Sequence, residues 1–451
     1  MNAQDYRQLW DLGYSSIKDL EVESGILASG KDELYGCIFG RDSLITALLL
    51  LRAYKKTGDI YFLDLTKKIL LNLVILQGKE VNIESGEEPG KIIHEFRPDK
   101  HEHLTSHPER PWYLYPDQTM KIYDSVDSTP LFLLAAHEYM RTSGTEFLPV
   151  IEKLLPHVKS ALDWILAFGD SNDDGLIDYR FHEKRTFGGL EVQSWMDSHD
   201  SAFHEGGEAI AYPIAPIEVQ GYTWSALKLW ADYFRASDPS YAEILDERAK
   251  RLKEVFDEKF VRRNGNAISI AFAISGDGEQ MNSPRSSAGH LLWAAYSKDG
   301  DTYESILDKD LVPLLVERLM QDDLFVPAAG IRTLSSASKK YQAQSYHNGA
   351  IWPHDTEIVA IGLENFGYEN EAARVREALF SAYSHFRTPL EFFGFENDIY
   401  TDRLLPSGQR ACQTQAWSAA ALLSSLSARP VSGEDTRKII SQDAYVVAGG
   451  V

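Results

Sequence analysis

The chain has 451 residues, of which 44% are hydrophobic and 25% are charged. These fractions are those of a globular protein and exclude a disordered or fibrous chain. Acidic side chains outnumber basic ones by 67 to 45, and the net charge of −22 argues against nucleic acid or an anionic membrane as a partner.

The N-terminal residues, the apolar stretches and the cysteines narrow the class of protein further. Residues 1–10 contain no basic stretch followed by an apolar run, so no signal peptide is predicted. The longest nearly apolar stretch, residues 44–51, is too short to span a bilayer. Cys37 and Cys412 are too few for a disulfide framework, and we expect both to be small buried side chains. We therefore predict a soluble cytoplasmic protein.

Along the chain, apolar residues recur at the three- and four-residue spacing of amphipathic helices, and strand patterns are few. Twelve helices are predicted, over residues 3–21, 42–57, 60–78, 127–143, 147–169, 215–236, 239–260, 285–297, 303–320, 349–366, 369–385 and 411–427. Before about residue 428 no linker or low-complexity tract interrupts them.

The predicted helices alternate in character. Even-numbered ones are apolar around most of their circumference, as in LITALLLL within residues 42–57, and such helices are buried on all sides. Odd-numbered ones carry a charged face, as in DERAKRLKEVFDEKF at 246–260. This alternation predicts an inner ring of buried helices surrounded by an outer ring of half-exposed ones. Such an arrangement is an all-α (α/α)6 barrel of six helical hairpins, predicted over residues 1–427. Residues 428–451 are predicted to be a tail of uncertain structure.

Connections into the even helices are long and rich in Trp, Asp, Glu, His and Gly. Because every even helix of such a barrel begins at the same end, these loops converge on one mouth. Long loops in a compact domain are usually functional. The site is therefore predicted at this mouth, and several of the 9 Trp, 22 Tyr and 20 Phe residues lie in its loops.

The first two long loops offer acidic candidates. Arg41 and Asp42 can hold vicinal hydroxyl groups by charge-assisted hydrogen bonds. Asp42 can equally cap the helix that follows. For Asp127 the cap interpretation is favoured over a catalytic one, because Asp is common at helix caps.

The third long loop contains Trp195 beside Asp197, with Asp200 further on. An indole next to a carboxyl group suits a sugar, because the ring stacks on C–H faces and its low dielectric raises the pKa of the acid. Glu218 and Gln220 follow at a helix start, where solvated first-turn residues are the alternative.

The last two loops complete the set. The segment 345–355 is dense in donors and aromatic rings, although His347 or His354 alone would more often be structural. Glu391 lies in the apolar stretch PLEFFGF, and a carboxyl group in such company is paired, protonated or functional.

Residues 170–175 match the first half of a calcium loop, but the twelfth position is Phe181, which cannot supply the bidentate carboxylate. A tight turn is the favoured interpretation, and no metal is predicted.

Eight motifs in order resemble the amylo-α-1,6-glucosidase domain of glycogen debranching enzymes, within the (α/α)6-barrel inverting α-glycosidases. They are FGRDSLITALLLL, EPGKIIHEFR, SVDSTPLFLL, SWMDS, PIAPIEVQGY, SYHNGAIWPHD, PLEFFGF and CQTQAWSAAALL, and they extend over roughly residues 33–427.

This resemblance implies an inverting, exo-acting α-glucoside hydrolase without a cofactor, in which Asp197 is the general acid and Glu391 the general base. It also implies a carbohydrate substrate, bound by Arg41, Asp42, His347, Asn348 and Trp352. From their place in the same long loops we add five residues to this predicted binding set: Trp195, Asp200, Glu218, Gln220 and Trp417. The chain lacks the transferase and N-terminal β-rich domains of larger relatives, so a short α-glucoside is expected as readily as a polymer.

Two other functions stay open at this point. A sugar epimerase on the same barrel would use His347 and His354 for proton transfer, with the carboxylates only binding. A non-catalytic carbohydrate-binding barrel would have no need of an acid/base pair.

Overall fold

A computed structural model of the chain describes residues 2–264 and 267–429. Thirteen α-helices lie in this part of the chain: α1 Ala3–Leu20, α2 Gly40–Thr57, α3 Ile60–Leu73, α4 Glu102–Thr105, α5 Ser128–Ser143, α6 Leu148–Ala167, α7 Ile217–Phe234, α8 Pro239–Lys259, α9 His290–Trp293, α10 Val312–Leu319, α11 Pro353–Asn365, α12 Glu369–Phe386 and α13 Ala416–Ser427.

Six of these helices close a ring. Helices α2, α5, α7, α9, α11 and α13 each pack against the next, and α13 returns to α2. Around them, α1 packs on α13, α3 on α2, α6 on α5, α8 on α7 and α12 on α11, while α10 contacts the 3₁₀ turn before α9. The predicted (α/α)6 barrel is confirmed, and the even-numbered helices of the sequence series are the inner ring.

The sequence explains which helices lie inside. Helix α2 is buried almost all round, whereas α8 buries a single stripe at three- and four-residue spacing, from Ala242 to Phe256. Between α2 and α3 the chain turns in two residues. Gly58 ends α2 at φ 73°, where a residue without Cβ is favoured, and Asp59 caps α3 by accepting from the amide of Tyr61 at 3.1 Å.

Two predicted helices are shorter than expected. The helix predicted over 285–297 is a 3₁₀ turn followed by four residues of α9, and the amide of Asn365 donates to the carbonyl of Leu292 there at 3.1 Å. The helix predicted over 303–320 begins only at Val312, with Pro313 in its first turn. Proline lacks the amide hydrogen that an earlier turn would need and is tolerated only at a helix start.

The strands are short and form six small sheets in the described chain: β1 Glu21–Val22, β2 Gly25–Ile26, β3 Ile38–Phe39, β4 Glu95–Arg97, β5 Met120–Ile122, β6 Ala215–Pro216, β7 Val261–Asn264, β8 Ala267–Ile270, β9 Ala273–Ile274, β10 Gln280–Met281, β11 Phe325–Val326, β12 Gly330–Ile331, β13 Gly394–Glu396 and β14 Ile399–Thr401. All pairs are antiparallel. The sheet β3-β4-β5 leads into α2 and the sheet β10-β9-β6 into α7, so both fix starts of inner helices.

One hydrophobic cluster extends from Tyr6 to Leu426, and a small second cluster holds Ala28, Cys37 and Phe39. The large cluster supports our proposal of a single barrel domain over residues 1–427. The predicted tail at 428–451 lies, apart from its first two residues, outside the described chain. Among the described helices, none combines the length and the apolar character needed to cross a bilayer.

Candidate active site

Asp197 and Arg41 form an ion pair at the end of the barrel where the inner helices begin, which we call the mouth. The guanidinium Nη1 of Arg41, in the first turn of α2, lies 2.9 Å from Oδ2 of Asp197 in the loop before α7. Burial raises the pKa of Asp197, and Arg41 opposes this by favouring the carboxylate. The net pKa is raised, so the protonated form is favoured relative to an exposed aspartate.

Arg41 has two further partners inside the protein. Its Nε donates to Oδ2 of Asp127 at 2.7 Å, and its Nη2 donates to the carbonyl of Ser194 at 2.9 Å. The guanidinium is buried, and each of its three nitrogens has an acceptor. Arg41 therefore holds Asp197 in place, besides any contact with sugar that the sequence predicts for it.

Asp127 occupies the N-cap position of α5 without capping it. Its carboxylate accepts from Arg41 and, at 2.7 Å, from the hydroxyl of Ser125. The hydroxyl oxygen of Ser125 accepts from the amide of Ser128 at 3.2 Å and takes the capping role instead. The position predicted for Asp127 is right, but its partner is Arg41 rather than the helix.

Glu391 lies in the segment of the chain that connects α12 to α13. Its side chain is buried and accepts hydrogen bonds from two donors. The hydroxyl of Tyr346 donates to Oε1, and the amide of Cys412 donates to Oε2 at 2.9 Å. The pKa of Glu391 is raised to about 7, because burial raises it by more than both hydrogen bonds lower it. The hydroxyl oxygens of Tyr346 and Tyr35 lie 3.2 Å apart, so the two phenols form a chain that ends on Glu391.

Sequence reasoning missed both tyrosines. Tyr346 lies next to His347 within the motif SYHNGAIWPHD, and Tyr35 lies four residues before the motif that begins at Phe39. Their link to Glu391 joins residues far apart in the chain, which periodicity cannot predict.

Asp42 lies in the first turn of α2, where Phe39 holds the N-cap position, so the cap alternative for Asp42 is wrong. Its Oδ1 accepts from Nε2 of Gln415 at 3.2 Å. Burial and the charges of Asp197 and Glu391 together raise the pKa of Asp42 to about 7, although Arg41 opposes the rise. Asp42 therefore lies within electrostatic range of both candidate catalytic groups.

Three indoles predicted to bind sugar contact one another and form an aromatic layer. Trp195, Trp352 and Trp417 each expose 4% of their surface or less. Trp417 stacks on His354 with ring centroids 3.7 Å apart, and Trp352 stacks on His347 at 5.2 Å. Their faces are thus occupied by protein rings, and their apolar bulk lowers the local dielectric.

The two histidines of this layer are neutral, because burial lowers the pKa of both well below the usual value. His347 Nδ1 accepts from the amide of Ser198 at 3.1 Å, which places its proton on Nε2. His354 is fully buried, and neither of its ring nitrogens has a hydrogen-bond partner in the described chain.

Asn348 and Asp200 lie together on the Asp197 side of the mouth. The amide of Asn348 donates to the carbonyl of Asp200 at 2.9 Å and to its Oδ2 at 3.1 Å. Arg285, which sequence reasoning missed, donates to Oδ1 of Asn348 at 2.7 Å from a buried position. Burial lowers the pKa of Arg285 to about 9.

The structure does not bring Gln220 to this group. Its amide exchanges hydrogen bonds with the backbone of Ile177, at 2.9 and 2.7 Å, and donates to the carbonyl of Pro216 at 2.9 Å. Glu218 lies in the first turn of α7 and lines a small cavity with Arg285. Burial raises the pKa of Glu218 to about 8, so it is protonated at neutral pH, unlike the solvated first-turn residue of the alternative interpretation.

The segment resembling a calcium loop is internally bonded. Asp170 accepts from the amides of Asp174 and Gly175 at 3.0 and 2.9 Å, as in a tight turn. The described residues contain no group of three or more His, Cys, Asp or Glu side chains that could hold a metal. Both cysteines are free and buried, as the sequence predicts.

A family model described as amylo-alpha-1,6-glucosidase matches residues 111–424. Together with the barrel, this match defines the protein as a glycoside hydrolase. Because the match spans more than half of the chain, the protein belongs to the amylo-α-1,6-glucosidase family, and the resemblance predicted from its motifs is confirmed. The first two motifs, at 39–51 and 88–97, precede the matched range.

Solved structures share the fold at low identity. A GH63 mannosylglycerate hydrolase from Thermus thermophilus, in complex with Tris and D-glycerate, is 14% identical with a TM-score of 0.62, over 92% of this chain and 99% of that one. A glycosidase variant in complex with glucose is 13% identical with a TM-score of 0.54, over 94% of this chain and 98% of that one. No protein of curated function matches the sequence.

Proposed function

We propose that the protein is an inverting, exo-acting α-glucosidase in which Asp197 is the general acid and Glu391 the general base. The observation that carries this proposal is the pair of raised-pKa carboxyl groups at one mouth, each held by its own partners. Arg41 holds Asp197, and Tyr346 with the Cys412 amide holds Glu391. Among the described residues no hydrogen bond joins the two carboxyl groups, which suits a mechanism that places water and substrate between them.

The contacts suggest where the acid's proton sits. Arg41 donates to Oδ2 of Asp197, so the proton of the neutral acid lies on Oδ1. From there it passes to the glycosidic oxygen as the bond to the anomeric carbon breaks. The departing group leaves as an alcohol, and Asp197 becomes a carboxylate paired with Arg41.

Glu391 must be ionised to act. With its pKa raised to about 7, the carboxylate form dominates above that pH. Each oxygen already accepts one hydrogen bond, and a second lone pair on one of them accepts a proton from water. That water attacks the anomeric carbon from the face opposite to the departing group, which inverts the configuration.

Other predicted residues suit sugar binding. Asp42 interacts electrostatically with both Asp197 and Glu391, and its carboxyl group can accept a hydrogen bond from a sugar hydroxyl group. His347 can donate a hydrogen bond to the sugar from Nε2. The aromatic layer of Trp195, Trp352 and Trp417 is buried, and Trp195 and Trp352 both contact the ring of His347. Exo action is the part of this proposal that rests on the similarity to α-1,6-glucosidases.

We propose a short α-linked glucoside as substrate. The family description is an α-1,6-glucosidase, and the similar hydrolase from Thermus thermophilus, of nearly the same length, is named for a small glycoside. The panel to test is isomaltose, panose, maltose and glycosides of small acids such as mannosylglycerate. Cytoplasmic location and independence of a cofactor remain predictions.

The epimerase alternative is less well supported. It needs two histidines that exchange protons with the substrate, but His354 is fully buried and stacked on Trp417. A purely binding barrel would gain nothing from burying two carboxyl groups whose charged forms are costly to desolvate.

The test is the loss of hydrolysis in Asp197→Asn and Glu391→Gln, assayed on the panel member that the wild type cleaves fastest. General acid and base groups each contribute about 10²–10⁴-fold, so kcat should fall by that factor with little change in sugar binding. Glu396→Gln, an exposed glutamate on β13, is the matched control and should keep its rate. Wild-type rates in both carboxyl variants would overturn the assignment.

A further inference from the structure

Arg41 joins two carboxyl groups through different nitrogens. Its Nη1 lies 2.9 Å from Asp197, and its Nε lies 2.7 Å from Asp127. We propose that Asp127 is a positioning residue that neutralises Arg41 and thereby allows Asp197 to keep its proton. This inference rests on the proposed role of Asp197 as general acid.

The need for such a residue follows from the ion pair itself. A cation in direct contact with a buried carboxyl group favours the ionised form and lowers its pKa by about 1–3 units. A general acid must instead be protonated when the substrate binds. With Asp197 as its sole counterion, Arg41 would hold it as a carboxylate.

Asp127 is suited to be the permanent counterion. Its side chain is fully buried and cannot reach a substrate, so it acts without touching the sugar. One oxygen accepts from Arg41 and the other from the hydroxyl of Ser125 at 2.7 Å. The charge of Asp127 raises the pKa of Asp197.

Other groups also act on Asp197 and must stay unchanged in the test. Two are the carboxyl groups of Asp42 and Glu95, and three are the neutral phenols of Tyr35, Tyr179 and Tyr346, whose pKa the charge of Asp197 helps to raise. The carboxyl groups among them raise its pKa when ionised, as Asp127 does. Only Arg41 and Asp127, however, form the direct chain of ion pairs to Asp197 described above.

The test is Asp127→Asn, measured as the pH dependence of kcat/KM. Asparagine keeps the shape and can accept from Nε of Arg41, but it removes the negative charge. The pKa of Asp197 should then fall, so its protonated fraction is lost at lower pH. We expect the basic limb of the profile to move to lower pH by about one unit or more. At pH values above the limb, kcat/KM of the variant should then be about tenfold below that of the wild type.

A second substrate separates this effect from misfolding. The glycosyl fluoride of the sugar that the enzyme hydrolyses has a leaving group with little need of a proton. Asp127→Asn should hydrolyse it at close to the wild-type rate, whereas general damage would slow both substrates. Asp124→Asn is the matched control, because it removes a buried charge of the same loop that is paired with Arg185. Its basic limb should not move.

If Asp127→Asn does not fold, the double variant Arg41→Gln/Asp127→Asn removes the cation and its counterion together. Its basic limb should move up in pH, because the cation that favours the carboxylate of Asp197 is gone. An unmoved basic limb in Asp127→Asn, or a downward move in the double variant, would overturn this inference while Asp197→Asn remained inactive. Retained activity in Asp197→Asn would instead overturn the proposed function.

Discussion

At the scale of single residues, the site is defined by what each carboxyl group touches. Asp197, Asp42 and Glu391 are all buried at the mouth, and burial alone raises the pKa of each. The groups that bind each carboxyl group differ, and they distinguish Asp197 from Glu391. A bridging arginine opposes the rise for Asp197, whereas a phenol and a backbone amide do so for Glu391. Similar side chains therefore acquire different hydrogen-bonding partners.

The Tyr346 hydroxyl should set the acidic limb of the activity profile. Its hydrogen bond to Glu391 favours the carboxylate, so Tyr346→Phe should raise the pKa of the base. Since the base must be ionised, the acidic limb of kcat/KM should move up, by about one pH unit for a hydrogen bond to a charged group.

The matched control for that prediction is Tyr35→Phe. Tyr35 contacts Tyr346 and not Glu391, so the same chemical change should move the limb less. The profiles are measured between about pH 5 and pH 9. If the acidic limb of Tyr346→Phe lies at the same pH as that of the wild type, the phenol of Tyr346 does not affect the pKa of Glu391.

At the scale of elements, the loops that precede inner helices supply the site, and hydrogen bonds from side chains to backbone hold them. Gln220 is the example in α7, where its amide bonds to both backbone groups of Ile177. A glutamine near a helix start has the same sequence signal whether it faces the lumen or a neighbouring loop. Sequence reasoning assigned it to substrate binding for that reason.

Gln220→Ala should consequently act on stability and not on binding. It leaves backbone groups of Ile177 and Pro216 unpaired in a buried place, which should lower the free energy of unfolding by about 2–4 kcal/mol. Denaturant unfolding measures this change, with the exposed Gln321→Ala as control. A large rise in KM with unchanged stability would return Gln220 to the substrate-binding set.

The helix pattern was predictable because it is local. Burial of α2 all round and of α8 along one stripe can be seen in short stretches of sequence. The short helices α9 and α10 were not, because a contact from Asn365 and the turn at Pro313 decide where they begin or end. The pairing of Arg41 with Asp127 was missed for the same reason, since it joins residues 86 positions apart.

At the scale of the whole molecule, barrel closure makes the function possible. Closure of α13 on α2 brings residues near both ends of the described chain to one mouth, as the contact between Gln415 and Asp42 shows. The excess of acidic residues fits a neutral sugar, whose binding is not opposed by a net charge of −22. Membership of the amylo-α-1,6-glucosidase family agrees with this account.

The most direct test of the mechanism is the anomeric configuration of the first product. Proton NMR during early hydrolysis of the best α-linked substrate of the panel resolves the two anomers of the released sugar before they interconvert. Water attack assisted by Glu391, with Asp197 protonating the departing oxygen, predicts that the β anomer appears first. Initial release of the α anomer would mean retention through a covalent intermediate and would contradict the assigned roles of both carboxyl groups.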